Sequence, residues 1–419
     1  MTQPLFQKIR GMHDILPGET HAWERVESAY RAVAAAYGYR EIRIPVLEAT
    51  GLFARSIGDE TDIVGKEMYS FKDAGGDDLT LRPEGTAGVV RAYVEHSIPS
   101  SEPVSKWYYV GPMFRRERPQ KGRYRQFHQA GAEVLGAPPP FADAELAIML
   151  ADFFGHVGLA GSTIRYNHLG GSEARSRFRG KLEEYYGGKK DSLCDDCKRR
   201  LETNPLRLLD CKVESCVALK AGAPAMRECL SEGDVAVLGR YRALLDESGV
   251  ASAEEPRLVR GLDYYTGIVF EVEVATASGP VVVCGGGRYD DLVGRLGGPS
   301  TPAAGYAIGL ERLMESIPEI PRPGLDLFVL VPGPASERAA ARLLREARAA
   351  GIGADIDPRG GSMKSQMKRA DRLGAAVVAI LRKREIAAGV VSIKDMRTGD
   401  QAEVPSGDAI MGILERLGR

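Results

Sequence analysis

Several things are scarce or missing in this 419-residue chain, and each absence closes off a class of protein. No stretch approaches the ~18 apolar residues of a membrane span. Residues 1–10 have no apolar core of the signal-peptide kind. The expectation is a cytoplasmic protein with no membrane partner. Cysteine is sparse, six in all, too few in so long a chain for a secreted disulfide framework. Net charge is −1, so the overall balance announces no nucleic-acid partner. There is no internal repeat, no Walker A Lys-Ser/Thr and no Rossmann glycine spacing.

What is present is an ordinary globular composition, 44% hydrophobic and 27% charged, long enough for two or three domains with real cores. Charge is uneven. Residues 325–419 hold 16 Lys and Arg against 12 Asp and Glu, so the basic excess sits at the C-terminal end.

Trp23, Val26, Ala29, Tyr30 and Val33 fall at helical spacing over residues 21–37, and Gly38 is the stop. Residues 41–46 read as a strand reaching Pro45, an edge or a boundary position because proline cannot donate to a ladder. Short strands are expected at 67–71 and 78–81. Longer ones at 107–114 and 123–135 are joined by a polar segment, 116–122, into a hairpin. A helix is expected at 143–155. Residues 170–253, rich in Lys, Arg, Glu and Cys, read as a helical insertion. Strand pattern returns at 258–274, 280–284 and 305–309, the last running directly into a helix at Leu310–Ser316. Pro318, Pro321, Pro323 and Gly324 form a stiff linker. Beyond it, strands at 326–331, 353–356, 375–381 and 390–394 alternate with helices at 336–350 and 363–373, the pattern of a small α/β module. The whole reads as an α+β body with an antiparallel sheet and an insertion, followed by that module.

Five segments carry chemistry. On the strand 123–135, side chains alternate faces, so Arg123, Arg125, Phe127, Gln129, Gly131 and Glu133 share one side. Gly131 leaves a gap in which a ligand could lie; the alternative is a solvated sheet face. In Leu79-Thr80-Leu81-Arg82-Pro83-Glu84-Gly85-Thr86, Pro83 ends a strand and a helix starts near Thr86. Glu84 is then either a helpful anion beside a threonine cap or a carboxylate facing a cationic ligand. Arg260-Gly261-Leu262-Asp263-Tyr264-Tyr265 opens an aromatic-rich strand, with satisfied buried tyrosines as the plain reading. Gly285-Gly286-Gly287-Arg288-Tyr289-Asp290 lets backbone approach a ligand. In Gly309-Leu310-Glu311-Arg312, an arginine in the first helical turn opposes the helix dipole, which suggests an anionic partner.

Together, in order and over almost the whole chain, these segments resemble the histidyl-tRNA synthetase family of class II aminoacyl-tRNA synthetases. The strand ending at Pro45 looks like motif 1, the dimer motif. Phe114-Arg115-Arg116-Glu117 through Glu133 looks like motif 2, and Gly309-Leu310-Glu311-Arg312 like motif 3. The Arg260 and Gly285 peptides resemble the two that mark histidine-specific members. Arg10-Gly11-Met12-His13-Asp14-Ile15-Leu16-Pro17 resembles the family's opening, and Ser365-Gln366-Met367-Lys368-Arg369-Ala370 its anticodon-binding domain.

The resemblance implies a class II synthetase-like antiparallel sheet flanked by helices as a catalytic domain over 1–322, with the insertion at 170–253. It implies an α/β anticodon-binding domain over 325–419. The implied reaction joins L-histidine to ATP as histidyl-adenylate and transfers it to tRNA(His), releasing AMP and pyrophosphate, with Mg²⁺ accompanying the nucleotide and the enzyme a homodimer. Arg115 and Arg260 would flank the α-phosphate as catalytic groups, and Arg123 and Arg312 would hold the outer phosphates. Glu84, Thr86 and Gln129 would receive the ammonium. Glu133 would take the imidazole N–H, with Tyr264 and Tyr265 closing the pocket. Arg118 and Gln120 would meet the tRNA acceptor end, and Lys364, Lys368, Arg369 and Arg372 form a basic helix face that would bind phosphate or simply be solvated.

Cys194-x-x-Cys197 with Cys211-x4-Cys216 has roughly zinc-like spacing, and the family does not require metal there. A structural zinc and four free buried thiols both fit. A rival function is that of the non-catalytic regulatory paralogue of ATP phosphoribosyltransferase. That paralogue usually lacks the C-terminal module and loses motif arginines, whereas here both stand.

Overall fold

The computed structural model describes residues 5–58, 61, 63–120, 122–276 and 279–419. They divide into two compact units, one running to Glu319 and one over Ile320–Arg419. Among the described residues no helix is long and apolar enough to cross a membrane.

The strands of the first unit are, in chain order, β1 Arg40–Glu41, β2 Leu47–Ala49, β3 Tyr69–Lys72, β4 Asp78–Leu81, β5 Ser105–Phe114, β6 Gln126–Leu135, β7 Thr163–His168, β8 Ser252–Glu254, β9 Ile268–Thr276, β10 Gly279–Arg288 and β11 Ala303–Gly309. Eight of them form one sheet in the order β1-β5-β6-β11-β10-β9-β7-β8. The pairing is antiparallel through the middle and parallel only at its two ends, β1 with β5 and β7 with β8. The hairpin β5–β6 pairs Tyr109 with Gly131 and Trp107 with Glu133, and β11 then sets Gly305 opposite Glu133.

Helices α1 Thr20–Ala36, α2 Thr50–Ile57, α3 Thr86–Glu95 and α4 Phe141–His156 pack around this sheet. Their apolar stripes bury Val26, Tyr30, Val33, Leu146, Leu150 and Phe153. The insertion holds α5 Ser172–Gly187, α6 Asp195–Thr203, α7 Glu214–Lys220 and α8 Glu232–Glu247. α9 Leu292–Arg295 and α10 Leu310–Ser316 complete the unit.

Three local expectations change. The strand to Pro45 shrinks to the two residues of β1, and β2 resumes in a separate three-stranded sheet, β2-β4-β3, because Pro45 interrupts the ladder. Residues 258–267 are loop, and the strand starts only at Ile268. The glycines 285–287 lie within β10, not after it.

The second unit is a five-stranded sheet ordered β13-β12-β14-β15-β16, with β12 Leu327–Leu330, β13 Ala354–Ile356, β14 Val377–Ile380, β15 Val390–Asp395 and β16 Gln401–Pro405. The first three are parallel and the last two antiparallel. α11 Pro334–Ala349, α12 Met363–Arg372, α13 Lys383–Ala388 and α14 Ala409–Leu417 cover it. Gln366 is fully buried on α12 and exchanges hydrogen bonds with the backbone of Val331, at 2.9 and 2.8 Å. Lys364, Lys368 and Arg372 point out from the same helix, while Arg369 lies near Asp355 and Asp357.

One buried ion pair ties α4 to the end of β10. Arg288 and Asp143 are 2% and 1% exposed, with two guanidinium–carboxylate bonds at 3.0 and 2.6 Å. Asp290 accepts a third bond from Arg288 and one from the Ala303 backbone. Removing one partner strands the other charge in the interior. Asp143→Ala is expected to lower unfolding stability by about 3–5 kcal/mol, measured by urea denaturation; a loss within that of a surface substitution would contradict it.

Candidate active site

The face of the central sheet towards the insertion is almost bare in its middle. Gly305, Ala307 and Gly309 of β11 and Gly285 of β10 lie between Gln129 and Glu133 of β6 and Glu271 of β9. Over this floor opens a cleft of about 870 Å³. It is walled by the start of α3, the segment after β5, the loop 258–265, α10 and residues 209–213 of the insertion.

One end of the cleft is acidic and sealed. Glu133 is fully buried. Thr86 donates its hydroxyl to it at 2.7 Å, and Tyr289 donates its phenol to the other carboxylate oxygen. Gly305 lies opposite, and a Cβ there would overlap the Glu133 carboxylate. Desolvation pushes the Glu133 carboxyl up to about 8, against the pull of its two donors, and the nearby Glu84 adds to the rise. Glu84 is also buried and raised by desolvation, though the amides of Thr86 and Ala87 bind it at 2.7 and 2.9 Å. Tyr264 and Tyr265 are buried beside them, and burial pushes Tyr265 up to about 12. The Gln129 carbonyl oxygen is buried with no hydrogen-bond partner in the structure.

The other end is cationic. Arg115 and Arg123 share Glu117, at 3.8 and 3.3 Å, and Arg115 also rests over the Phe127 ring. Arg312 donates to the Val282 carbonyl; desolvation and the nearby Arg123 lower its pKa. Arg260 reaches over the floor to Glu271. Burial alone would favour losing its proton, but the Glu271 carboxylate more than compensates and holds Arg260 above its usual range. Its buried Nε has no partner.

Glu84, Thr86, Gln129, Tyr264, Tyr265, Arg115, Arg123, Arg260 and Arg312 therefore line one cleft, as do Cys194 and Cys211. Glu133 lies just behind its wall, screened by the Thr86 and Tyr289 that hydrogen-bond it and that do line the cleft. Arg118 and Gln120 do not; both are exposed on the segment after β5. Three readings of the sequence need correction. The gap at Gly131 is filled by Tyr109, whose ring packs where a Cβ of Gly131 or Gly85 would be. Gly285 makes room for the Arg260 guanidinium, so the glycine run admits a side chain of the protein. At the start of α3 the cap is the Glu84 carboxylate, while the Thr86 hydroxyl is spent on Glu133.

Four residues escaped the sequence reading of the site: Tyr289, Glu271, Glu117 and Glu311. Glu311 accepts the His128 backbone N–H at 2.9 Å and so pins α10, with Arg312, to β6. Strand alternation could have found Glu271, since it faces the same way as Val269 beside a glycine-rich neighbour. Tyr289 stood inside the Gly285 peptide, but nothing local showed its role, because its partner is 156 residues away.

Sequence comparison agrees with this geometry. A sequence model of histidyl-tRNA synthetase matches residues 11–172 and 215–313, and one of an anticodon binding domain matches 326–416. The histidine–tRNA ligase of Geobacter sulfurreducens is 46% identical over 400 residues, 95% of this chain and 96% of that one. That of Desulforudis audaxviator is 46% identical over 420 residues, 99% of each. The crystal structure of apo Staphylococcus aureus histidyl-tRNA synthetase superposes with a TM-score of 0.81 at 35% identity, covering 98% of this chain and 100% of that one. The antiparallel sheet and its cleft are thus those of a class II aminoacyl-tRNA synthetase. Within that class, the chain belongs to the histidyl-tRNA synthetase family. Its activity is that of the family, activation of histidine and transfer to tRNA(His).

The raised Glu133 makes a stability prediction for the empty protein. Below its ordinary value of 4.5 both folded and unfolded chains hold the proton. Between 4.5 and about 8 only the folded chain does, so stability falls as pH rises through that window. The wild type is expected to lose up to about 1.4 kcal/mol per pH unit relative to Glu133→Gln, read from urea melts between pH 5 and 8. Parallel curves would show that Glu133 is not buried in its neutral form.

Proposed function

We propose that the sealed acidic end binds the histidine side chain and the cationic end binds ATP, so that the α-carboxylate and the α-phosphate meet above the glycine floor. The observation that carries this is a single cleft with four arginines at one end and, behind Thr86 and Tyr289 at the other, a doubly hydrogen-bonded buried carboxylate. Glu133 accepts the imidazole N–H, with Tyr264 and Tyr265 beside the ring. Glu84, Thr86 and the unpartnered Gln129 carbonyl receive the ammonium. Arg115 and Arg260 flank the α-phosphate, where charge grows during in-line attack, and the guanidinium fork suits that load. Arg123 and Arg312 hold the outer phosphates. Glu117 and Glu271 give up their arginines to phosphate. Once relieved of those arginines, the two carboxylates would help hold a divalent ion, which we take to be Mg²⁺. That ion, when bound, supplies further neutralisation of phosphate charge.

For the second step, Arg118 and Gln120 are exposed on the segment beside the cleft, suited to the acceptor end. We assign 1–322 to catalysis and 325–419 to the anticodon, with exposed Lys364, Lys368 and Arg372 available for phosphate. We further infer a homodimer. In the β2-β4-β3 sheet, Leu47, Leu79, Leu81, Tyr69 and Phe71 share one face by register, and Leu47 and Phe71 are 39% and 48% exposed. The opposite face carries Thr80, buried in bonds to Thr50 and Ser70. An apolar face turned outward fits a second copy. The site of action we infer is the cytoplasm.

The test is pyrophosphate exchange into ATP with each of the twenty amino acids. Exchange is expected with histidine alone. Arg260→Ala should lower its kcat by about 10²–10³-fold. Glu133→Gln should raise the KM for histidine by at least ~10-fold while leaving that for ATP within about twofold. Exchange with no amino acid, from folded protein, would favour the regulatory paralogue.

A further inference from the structure

The centre of the insertion brings four thiols together. Cys194 precedes α6 and Cys197 lies in its first turn. Cys211 follows the 3₁₀ segment Pro205–Asp210, and Cys216 lies on α7. The four sulfurs lie within 4.8 Å of one another, and those of Cys194 and Cys211 are 3.8 Å apart. A tetrahedral ion with metal–sulfur bonds of ~2.3 Å sets its ligands about 3.8 Å apart. Cys197, Cys211 and Cys216 are buried, and the Cys194 amide donates to the Cys216 sulfur at 3.4 Å, a bond that strengthens with a thiolate. Cys229 and Cys284 show the plain alternative. Each is buried alone among other side chains, as a small hydrophobe would be. Packing alone gives no reason for four sulfurs to converge at the radius of one ion.

We propose that Cys194, Cys197, Cys211 and Cys216 bind one structural zinc ion, and that this ion sets the shape of a brace against the Arg260 loop. Four sulfur ligands close the coordination shell and leave no position for substrate, which separates this site from the chemistry of the cleft. A tetrahedral four-sulfur shell at this spacing suits a single ion. Lys212 and Lys220 line the same stretch of wall and offset the two negative charges left on a four-thiolate zinc.

The brace is the chain between Cys197 and Cys211. Asn204 donates to Asp263 at 3.1 Å, and Arg207 donates to the Gly261 carbonyl at 3.1 Å. Both contacts land within three residues of Arg260. With the ion bound, the ends of this thirteen-residue loop are pinned to one point, so Asn204 and Arg207 are held where the Arg260 loop needs them. They are positioning residues. This consequence rests on the role proposed for Arg260; the presence of zinc does not.

The first readout is elemental analysis of the full-length chain, purified without chelator. One zinc per chain is expected, released by a thiol-blocking mercurial and lost in Cys216→Ser but kept in Cys229→Ser. Cells grown with cobalt should yield protein with the visible bands of tetrahedral cobalt–thiolate, which tests the site even where a Cys→Ser variant folds poorly. Amide exchange in residues 258–265 should speed up by about tenfold in Cys216→Ser. Native wild type with four titratable thiols and no zinc, a Cys194–Cys211 disulfide, or iron in place of zinc would each overturn the assignment. Stoichiometric zinc with unchanged exchange at 258–265 would overturn the brace. Histidine-dependent pyrophosphate exchange is scored separately. Zinc without activity would refute the function proposed above, and activity without zinc would refute only this inference.

Discussion

Much of the first unit exists to keep one carboxylate, Glu133, inside a sheet. A buried carboxyl needs donors, and both must arrive from elsewhere in the chain. Thr86 is brought by α3, which can start beside the sheet because Glu84 caps it. The turn before it is anchored by the buried Arg82, whose guanidinium bonds the carbonyls of Pro112 and Ile44 at 2.9 and 2.7 Å. Tyr289 is brought by the end of β10, next to the Arg288–Asp143 pair that fixes that end to α4. Gly305 supplies the room. Each is costly in isolation; together they over-determine the position of two oxygen atoms.

At the opposite end of the cleft the difficulty is the reverse. Four arginines with no anion would repel one another, and burial would weaken their charges. The protein resolves this with its own carboxylates, Glu117 between Arg115 and Arg123 and Glu271 on Arg260. The guanidinium groups are thereby oriented before any ligand comes. The affinity for an incoming anion is then a difference, its own attraction less that of the carboxylate it displaces. Such an exchange favours a ligand carrying several charges, which can hold all four arginines at once.

How much of this could be read in the sequence depended on the range of the interaction. The hairpin, the start of α3 and the strand-to-helix turn at Gly309 follow from local period and turn chemistry, and so does the strand–helix alternation after Gly324. The segments that gather Glu133, Arg115, Arg260 and Arg312 were visible as motifs. What escaped were choices made across the sheet. Gly131 and Gly285 look like openings for a ligand, but they admit Tyr109 and Arg260. In the same way Thr86 looks like a helix cap until Glu133 is placed beside it. The strand expected from Leu258 failed because its aromatic residues turn inward to a pocket instead of alternating along a ladder. In each case a long-range partner took a residue whose local pattern suggested another use.

The position of Glu133 on the pH scale bears on how one amino acid could be told from nineteen others. Desolvation pushes its carboxyl up to about 8, above the ~6.5 of a free imidazole. Near pH 7 the empty site thus keeps its proton while the free ligand's ring is mostly neutral. On the proposed binding mode, the pair that forms shares one proton between two groups that both titrate near neutrality. Either partner can carry it, so no proton need come from or go to solvent. A ligand of the same shape without ring nitrogens offers nothing to share. It would leave Glu133 neutral but its remaining lone pairs unmatched in a dry pocket, and sites of that kind can discriminate by ~10⁴-fold or more. On that binding mode burial does two things at once: it raises the carboxyl towards the range of an imidazole, and it removes the water that would rescue a wrong ligand.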